Sequence, residues 1–399
     1  MSNGFRGRLE RLLVRLVGLS AGGRLLVSLA AVVVAIGVGM VVVLAAGYVA
    51  DCDSSALVLL GVEFCYDPIE VYRVLIVGAF GDRFSLAGTL QWTTILLFTG
   101  LSFAIAFKAG LFNIGAQGQF VLGSLATAVT VLWLGPHAPG GVLGGLVLVP
   151  AGLVSGTLVG AAYGWLPGYL KYRFETNEVI STLLLNFIAS AVAFVLVDRY
   201  FGDESIQGTV TERIPEAATF RPRLGYFPEG TDFSEPVFLF ALVVVASFHW
   251  LLGQTTVGYD IRAMGTQPKA AVFGGVSERF TTLFSFTLAG AVAGLGGAVF
   301  VMMVLGRWQT GAPPIGFDGI AVSILAGNNP VGLLPSGLLF GALETGSREI
   351  EFQLGIPGEL VEVLRGLIIL LVATPELFRM LGKRLDRRGT IDLERGGEK

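Results

Sequence analysis

The sequence predicts an all-α fold, a polytopic helical membrane protein with about eight to ten membrane-embedded helices, some of them half-length or re-entrant. Only 14% of the 399 residues are charged, 53% are hydrophobic, and the mean hydropathy is +0.73. Soluble domains carry about 25% charged residues, and a soluble core of this length could not cover so much apolar surface. The apolar runs are continuous and do not alternate with period two, which favours helices over a β-barrel.

The spans follow in order from these runs, because each membrane helix needs about 20 mostly apolar residues. The first run, 25–50, carries no charge. We interpret it as an uncleaved anchor, because the apolar region of a cleaved signal peptide is shorter. Further runs lie at 86–107, 111–134, 141–166, 178–198, 236–252 and 280–305. The last part, 318–374, is expected to hold two or three membrane segments, broken by Asn328, Asn329, Pro330 and Pro335.

Lysine and arginine orient the chain, because loops rich in them stay in the cytoplasm. Both ends are basic, and two long internal segments are rich in Asp and Glu. The net charge of −3 gives no general attraction to nucleic acid. The predicted regions are a cytoplasmic N-terminus (1–24), a first transmembrane helix (25–50), an extracytoplasmic segment (51–84), a membrane core (85–374, with an extracytoplasmic loop at 198–235 and a cytoplasmic loop at 253–279) and a cytoplasmic tail (375–399).

The two cysteines, Cys52 and Cys65, both lie in the first extracytoplasmic segment. A disulfide between them would close a loop of about 14 residues and stabilise the protein by about 3 kcal/mol in the chain-entropy model. The outside of a cell is oxidising enough for this bond, although two unpaired thiols remain the alternative. Two cysteines are too few for a metal or iron–sulfur site, so we expect no metal.

Small residues recur at helical spacing inside two spans. Gly152, Gly156, Gly160 and Gly164 share one helix face, and Ala289, Ala293 and Gly297 share another. Such faces allow helices to approach closely. A sliding surface for alternating access is a second interpretation, and the two are compatible.

Polar residues at membrane depth are costly, and they usually face a bundle interior or a water-filled path. For each such residue here the alternatives are a hydrogen bond or helix cap, and the lining of a substrate path. Asn113 and Gln117 are expected to share a helix face that excludes Gln119. The spans hold no charged relay and no matched catalytic set, so we expect a neutral solute and no enzyme. The candidate pathway residues are Asn113, Gln117, Gln119, Asn186, Asp318, Asn328, Asn329 and Glu344.

The inner loop 258–276 is the most informative soluble segment. Pro268 is suited to the first turn of a short helix, and Gly274 and Gly275 are suited to its end. A short helix with small residues at the membrane surface could act as a docking element, or the segment could be a simple connection. The candidate docking residues are Gly258, Arg262, Gly265, Pro268, Lys269, Ala270, Ala271 and Gly275.

This loop resembles the coupling loop of a known family, the permease subunits of ABC importers for nucleosides and simple sugars, in the ribose/branched-chain amino acid permease superfamily. Three further stretches resemble that family: AFKAGLFNIGAQGQFVLGSLATA (106–128), TNEVISTLLLNFIA (176–189) and GFDGIAVSILAGNNPVGLLPSGLLFGALETGS (316–347). The resemblance runs from about 86 to 374, and the 176–189 stretch favours the nucleoside branch.

The resemblance implies alternating access in the plasma membrane of a prokaryote, with a second permease subunit, homologous or identical, completing the pathway. A cytoplasmic ABC ATPase would dock on 258–276 and bind ATP and magnesium, and an extracytoplasmic lipoprotein would deliver the solute. This chain has no G-x-x-x-x-G-K-[ST] phosphate loop, so ATP hydrolysis is expected in the separate subunit and no cofactor in this one.

Two other functions remain open on the sequence. The first is a ribose or other monosaccharide permease of the same architecture. The second is an ion-coupled secondary transporter or channel, which would often carry charged pairs within its spans. The role of the acidic outer segments also stays open.

Overall fold

The computed structural model describes residues 21–52, 54–59 and 61–371. Most of the predicted cytoplasmic N-terminus and the whole predicted tail lie outside the described residues, so the orientation inferred from them stays a prediction. The described residues form two compact units. One comprises 79–345, and the other comprises the described residues up to 78 together with 346–371.

The all-α prediction is confirmed, since strand structure among the described residues is confined to one short hairpin and isolated bridges. Six of the described helices are long and apolar enough to cross a membrane, and each corresponds to one predicted run from 86–107 to 280–305. The helices are α1 (Ala21–Val49), α2 (Pro68–Phe80), α3 (Arg83–Lys108), α4 (Ala116–Leu134), α5 (Gly141–Phe174), α6 (Glu178–Leu196), α7 (Glu235–Gln254), α8 (Thr256–Thr266), α9 (Pro268–Phe273), α10 (Glu278–Phe300), α11 (Ile315–Leu325) and α12 (Leu333–Leu354). A further helical run covers 358–371.

Helices α3, α4, α5 and α10 form the centre of the 79–345 unit. Helix α3 is almost entirely buried, and most of α10 is buried as well. Large apolar side chains such as Phe98, Phe120 and Phe300 fill the space between them. By contrast, α6 and α7 bury few residues and expose long apolar faces, which suits contact with lipid.

The glycine face of α5 packs against α10, as predicted. A Cβ on Gly160 would overlap the backbone of Gly290 and Gly294, and a Cβ on Gly294 would overlap Gly156 and Gly160. The second predicted face, on α10, does not supply this contact: Gly290 and Gly294 beside it meet α5, whereas its Gly297 lies against the backbone of Phe120 in α4. Close approach on two sides explains why α10 has small residues around so much of its circumference.

The acidic segment between α6 and α7 has a structural role that the sequence left open. Its backbone pairs with the segment that follows α10. Thr211 and Trp308 exchange hydrogen bonds, Ile214 N–H donates to the Gly306 carbonyl, and Phe220 N–H donates to the Met302 carbonyl. Trp308 is buried beneath this pairing. The chain continues beyond the C-terminal ends of α6 and α10 as π-helix, at Val197–Phe201 and Val301–Leu305.

The other unit contains α1, α2, a hairpin and the chain beyond 346. The hairpin pairs β1 (Leu57–Leu59) with β2 (Val62–Phe64) antiparallel. The Cys52–Cys65 disulfide is formed, with the two Cα atoms 5.8 Å apart. An apolar cluster that includes Val43, Val71 and Ile350 makes the core of this unit. The sequence analysis did not predict α2.

Two predicted helix boundaries are wrong. The run 111–134 is not helical throughout, because α4 begins only at Ala116. Pro335 does not break the chain either, because it lies in the first turn of α12, where its missing N–H would have no partner in the helix. The break in this region covers 326–332, and it contains the predicted Asn328, Asn329 and Pro330.

Candidate functional site

A cluster of buried amide side chains surrounds the start of α4. Asn113 lies before the helix rather than on it, so the expectation that Asn113 and Gln117 share a helix face is wrong. Asn113 instead pairs with Gln119. Its Nδ2 donates to Gln119 Oε1 at 3.0 Å, and Gln119 Nε2 donates to Asn113 Oδ1 at 3.3 Å. The same Asn113 oxygen accepts the N–H of Gly115 at 3.1 Å.

The remaining two amides connect this turn to neighbouring helices. Asn186 of α6 accepts the N–H of Gly118 at 2.8 Å and donates to the Ile114 carbonyl at 3.0 Å. Gln117 accepts the N–H of Gly316 at 2.7 Å and donates to the Pro313 carbonyl at 3.2 Å. Backbone that leaves a helix at membrane depth needs such partners, because lipid offers none. The cluster therefore makes a non-helical turn between two helices possible.

The start of α11 packs directly on the start of α4. A Cβ on Gly316 would overlap the backbone of Gln117. The positive ends of two helix dipoles thus meet at a polar, buried position. The described contacts already satisfy most of the amide groups at this position.

The second predicted polar cluster ends α11. Asn328 has a φ of 54° and follows the helix in the left-handed conformation, which asparagine adopts more readily than most residues. Its side chain accepts the Ser323 hydroxyl at 3.0 Å. Asn329 is exposed, and its side chain accepts the N–H of Val331. Asp318 in α11 and Glu344 in α12 are half-buried. Asn328 therefore caps the end of α11, which was one of the two alternatives for this residue. A role in lining the solute path stays a prediction for all eight candidate residues.

The segment that contains the 258–276 loop forms two helices, α8 and α9. Pro268 occupies the first position of α9, the helix ends at Gly274, and Gly275 has a φ of 94°, as the sequence led us to expect. Two glycines hold α8 close to the membrane helices. A Cβ on Gly258 would overlap the end of α7 at Leu251 and Leu252, and one on Gly265 would overlap the Lys108 carbonyl. The loop is therefore packed against the C-terminal ends of α3 and α7.

One side of α9 is open. Lys269 and Ala270 are exposed, whereas Ala271 is buried and Arg262 in α8 is half-buried. The sequence analysis did not single out Val272 and Phe273, yet the Phe273 side chain is 94% exposed. The sequence did offer one signal that Phe273 is exposed: it is a large apolar residue at the end of a short helix whose other residues are mostly small. An exposed aromatic side chain of this kind is typical of a contact with another protein.

Charged groups outside the helices carry shifted pKa values for local reasons. Hydrogen bonds from Ser205 lower the pKa of Asp203 on the outer segment. The Ser85 N–H, bound to the carboxylate before α3, lowers the pKa of Asp82. Burial raises the pKa of Asp232, against a weaker opposing effect of Arg221. Within the described residues no group of three or more His, Cys, Asp or Glu side chains could hold a metal ion.

The apolar helices and the buried polar break define an integral membrane protein of the helical class. A family model described as "Branched-chain amino acid transport system / permease component" matches residues 85–373. The chain belongs to this family of transport permease subunits. The predicted resemblance, placed at about 86–374, is confirmed.

Curated relatives agree with this assignment. The nucleoside ABC transporter permease protein NupB of Lactococcus lactis is 34% identical over 84% of this chain and 92% of its own length. The guanosine ABC transporter permease protein NupP of Bacillus subtilis is 30% identical over 92% of this chain and 97% of its own length. The glucose ABC transporter permease protein TsgB13 of Haloferax volcanii is 32% identical over 84% and 87%.

The same bacteria provide weaker matches with paired names. NupC of Lactococcus lactis is 26% identical over 64% of this chain and 79% of its own length, and NupQ of Bacillus subtilis is 24% identical over 63% and 78%. These relatives therefore occur as pairs of permease proteins. No solved structure matches the chain significantly.

Proposed function

We propose that this chain is the membrane-spanning permease subunit of an ABC importer that moves nucleosides across the plasma membrane of a prokaryote by alternating access. The similarity to NupB and NupP over at least 84% of the chain carries the proposal. The buried amides of the site and the stretch 176–189 support a neutral solute that forms hydrogen bonds. The comparable identity to TsgB13 makes a simple sugar the second candidate.

The working importer would contain three further kinds of subunit. A second permease, related to this one as NupC is to NupB, would complete the pathway. A cytoplasmic ABC ATPase would bind ATP and magnesium and dock on α8 and α9, where Val272, Phe273 and Lys269 are exposed. An extracytoplasmic binding lipoprotein would deliver the solute to the outer side. Both termini would be cytoplasmic.

The mechanism would couple α9 to the turn before α4. Closure of the ATPase dimer would displace α8 and α9, and Gly265 would transmit the motion because it lies in contact with the chain after Lys108. That chain leads through Gly110 into the amide cluster at Asn113. The starts of α4 and α11 would then change their spacing and open the solute path.

The direct test is uptake into vesicles that contain this chain with its second permease, ATPase and lipoprotein. We expect ATP-dependent uptake of radiolabelled nucleosides. Unlabelled nucleosides should inhibit this uptake by competition, and glucose should not. Competition by glucose or ribose alone would favour the sugar alternative. Uptake by the chain without any ATPase, driven by an ion gradient, would contradict the importer and identify a secondary transporter.

A further inference from the structure

A cavity of about 810 Å³ lies in the 79–345 unit between the beginnings of α5 and α7. The segment between Glu216 and Arg223 closes it on a third side. None of the residues predicted for the solute path or for docking lines this cavity. It is therefore separate from the site described above.

The side of the cavity formed by α5 is apolar, and its side chains are exposed on the surface of the protein. Val142 is 75% exposed and Leu146 is 68% exposed, and both line the cavity. Helix α5 has 34 residues, so it is about 51 Å long, whereas the hydrocarbon core of a bilayer is about 30 Å thick. At least one end of α5 must therefore extend beyond the hydrocarbon core.

The opposite wall carries two cations. Arg221 and Arg223 line the cavity, and both are exposed. Two residues apart in an extended segment, they lie on the same side of the chain. Neither guanidinium makes a hydrogen bond or an ion pair with the described residues; only the backbone N–H of Arg223 does, by donating to the Glu235 carboxylate. Glu216 also lines the cavity, and Asp232 interacts electrostatically with Arg221.

This combination selects a ligand with an anionic head and an apolar body. Guanidinium groups bind phosphate oxygens through paired charge-assisted hydrogen bonds. An apolar wall adds nothing to the binding of a free phosphate ion, but it does contribute contacts with a lipid tail. Val142 and Leu146 belong to a helix that is long and apolar enough to cross a membrane, which favours a lipid over a protein partner.

We propose that this cavity binds one phospholipid of the surrounding leaflet. Arg221 and Arg223 hold its phosphate, and one acyl chain lies along Val142 and Leu146. Glu216 lies at the same rim, where it suits a headgroup that also carries an ammonium group. The bound lipid connects the outer segment, which pairs with the end of α10, to the first turns of α5.

Native mass spectrometry of the full-length chain from nanodiscs of phosphatidylethanolamine and phosphatidylglycerol tests the proposal. The wild-type chain should retain one phospholipid. The double variant R221Q/R223Q should lower the retained fraction at least about tenfold, whereas R213Q should not, because Arg213 is exposed on the same segment away from the cavity. Leu146→Trp should fill the apolar wall and also lower retention while the arginines remain.

Three results would overturn the proposal. The first is lipid retention that is unchanged in both R221Q/R223Q and Leu146→Trp. The second is that R221Q/R223Q in detergent no longer binds inorganic phosphate but retains lipid as the wild type does. This result would identify a site for the free ion. If R221Q/R223Q retains lipid but no longer binds the lipoprotein, the surface is a protein contact and the lipid proposal fails. None of these readouts depends on the transported solute.

Discussion

Asn186 shows how one side chain can hold two helices together. It satisfies the Gly118 N–H and the Ile114 carbonyl at a buried position. Asn186→Leu should leave both groups buried and unpaired, and each such group costs about 1–3 kcal/mol. We expect a clear fall in the midpoint of thermal unfolding in detergent. Ser190→Ala is the matched control, because Ser190 is an exposed polar residue of the same helix, and an equal fall in both variants would contradict the assignment.

Asp82 gives a prediction about pH. Its carboxylate accepts the Ser85 N–H at 2.7 Å at the start of α3, and this bond lowers its pKa. The stabilisation is therefore present above the unfolded pKa of about 4 and is lost as the pH falls through the lower folded pKa. Asp82→Asn keeps a capping side chain that does not titrate. We expect the midpoint of thermal unfolding to fall less on acidification in Asp82→Asn than in the wild type. The control Glu204→Gln should respond to acidification as the wild type does.

The sequence identified the amides at 113, 117, 119 and 186 but not their partners. Residue type and depth suffice to predict that a polar side chain needs a hydrogen bond. The identity of the partner depends on where the helix begins. The polar residues within the run 111–134 did not by themselves show that the chain before Ala116 is non-helical. The same limit applies to Phe273, since exposure depends on which side of α9 faces the other helices.

The elements themselves were more predictable than their contacts. Six apolar runs gave six helices because lipid requires every backbone group to be paired within its own segment. The four-residue spacing of glycines in α5 predicted a close contact, and α10 provides it. By contrast, the division of the α10 small residues between α5 and α4 could not be predicted, because it depends on the positions of three helices at once.

The contact between α5 and α10 should be the most sensitive helix pair in the 79–345 unit. Gly294→Val would place a branched side chain against the backbone of Gly156 and Gly160. Overpacking typically costs about 1–3 kcal/mol, and here backbone rather than a flexible side chain must move. Size-exclusion chromatography and thermal unfolding should show a loss of folded protein. Gly253→Val is the control, because nothing lies near a Cβ at that position; equal stability of the two variants would contradict this packing.

Helix α9 should act through its exposed tip. Phe273→Ala, or the charge reversals Arg262→Glu and Lys269→Glu, should lower solute uptake and uncouple ATP hydrolysis while membrane insertion stays normal. We expect Phe273→Ala to lower the affinity for the ATPase, measured by co-purification, because large aromatic anchors dominate protein contacts. Phe352→Ala is a suitable control, since Phe352 is 86% exposed on a different helix. Normal uptake and co-purification by all three variants would contradict a docking role.

At the scale of the whole molecule, the six crossing helices impose a pattern of sides that can be measured. If each of them crosses the membrane, the connections alternate between outside and inside, and the basic loops are expected inside. His137 and Glu204 lie on connections expected outside, whereas Glu175 and Lys269 lie on connections expected inside. All four are exposed, so single cysteines at these positions should react readily once a reagent reaches them.

The experiment uses a background in which Cys52 and Cys65 are both changed to Ser. A membrane-impermeant maleimide should label His137→Cys and Glu204→Cys in intact cells, and it should label Glu175→Cys and Lys269→Cys only after permeabilisation. The reverse pattern would place the docking helix outside, where no ATPase could reach it, and it would contradict the proposed importer. A mixed pattern, with His137 and Glu204 on different sides, would mean that one of α5 and α6 crosses and the other does not. The predicted alternation, and the mechanism that relies on it, would then be wrong.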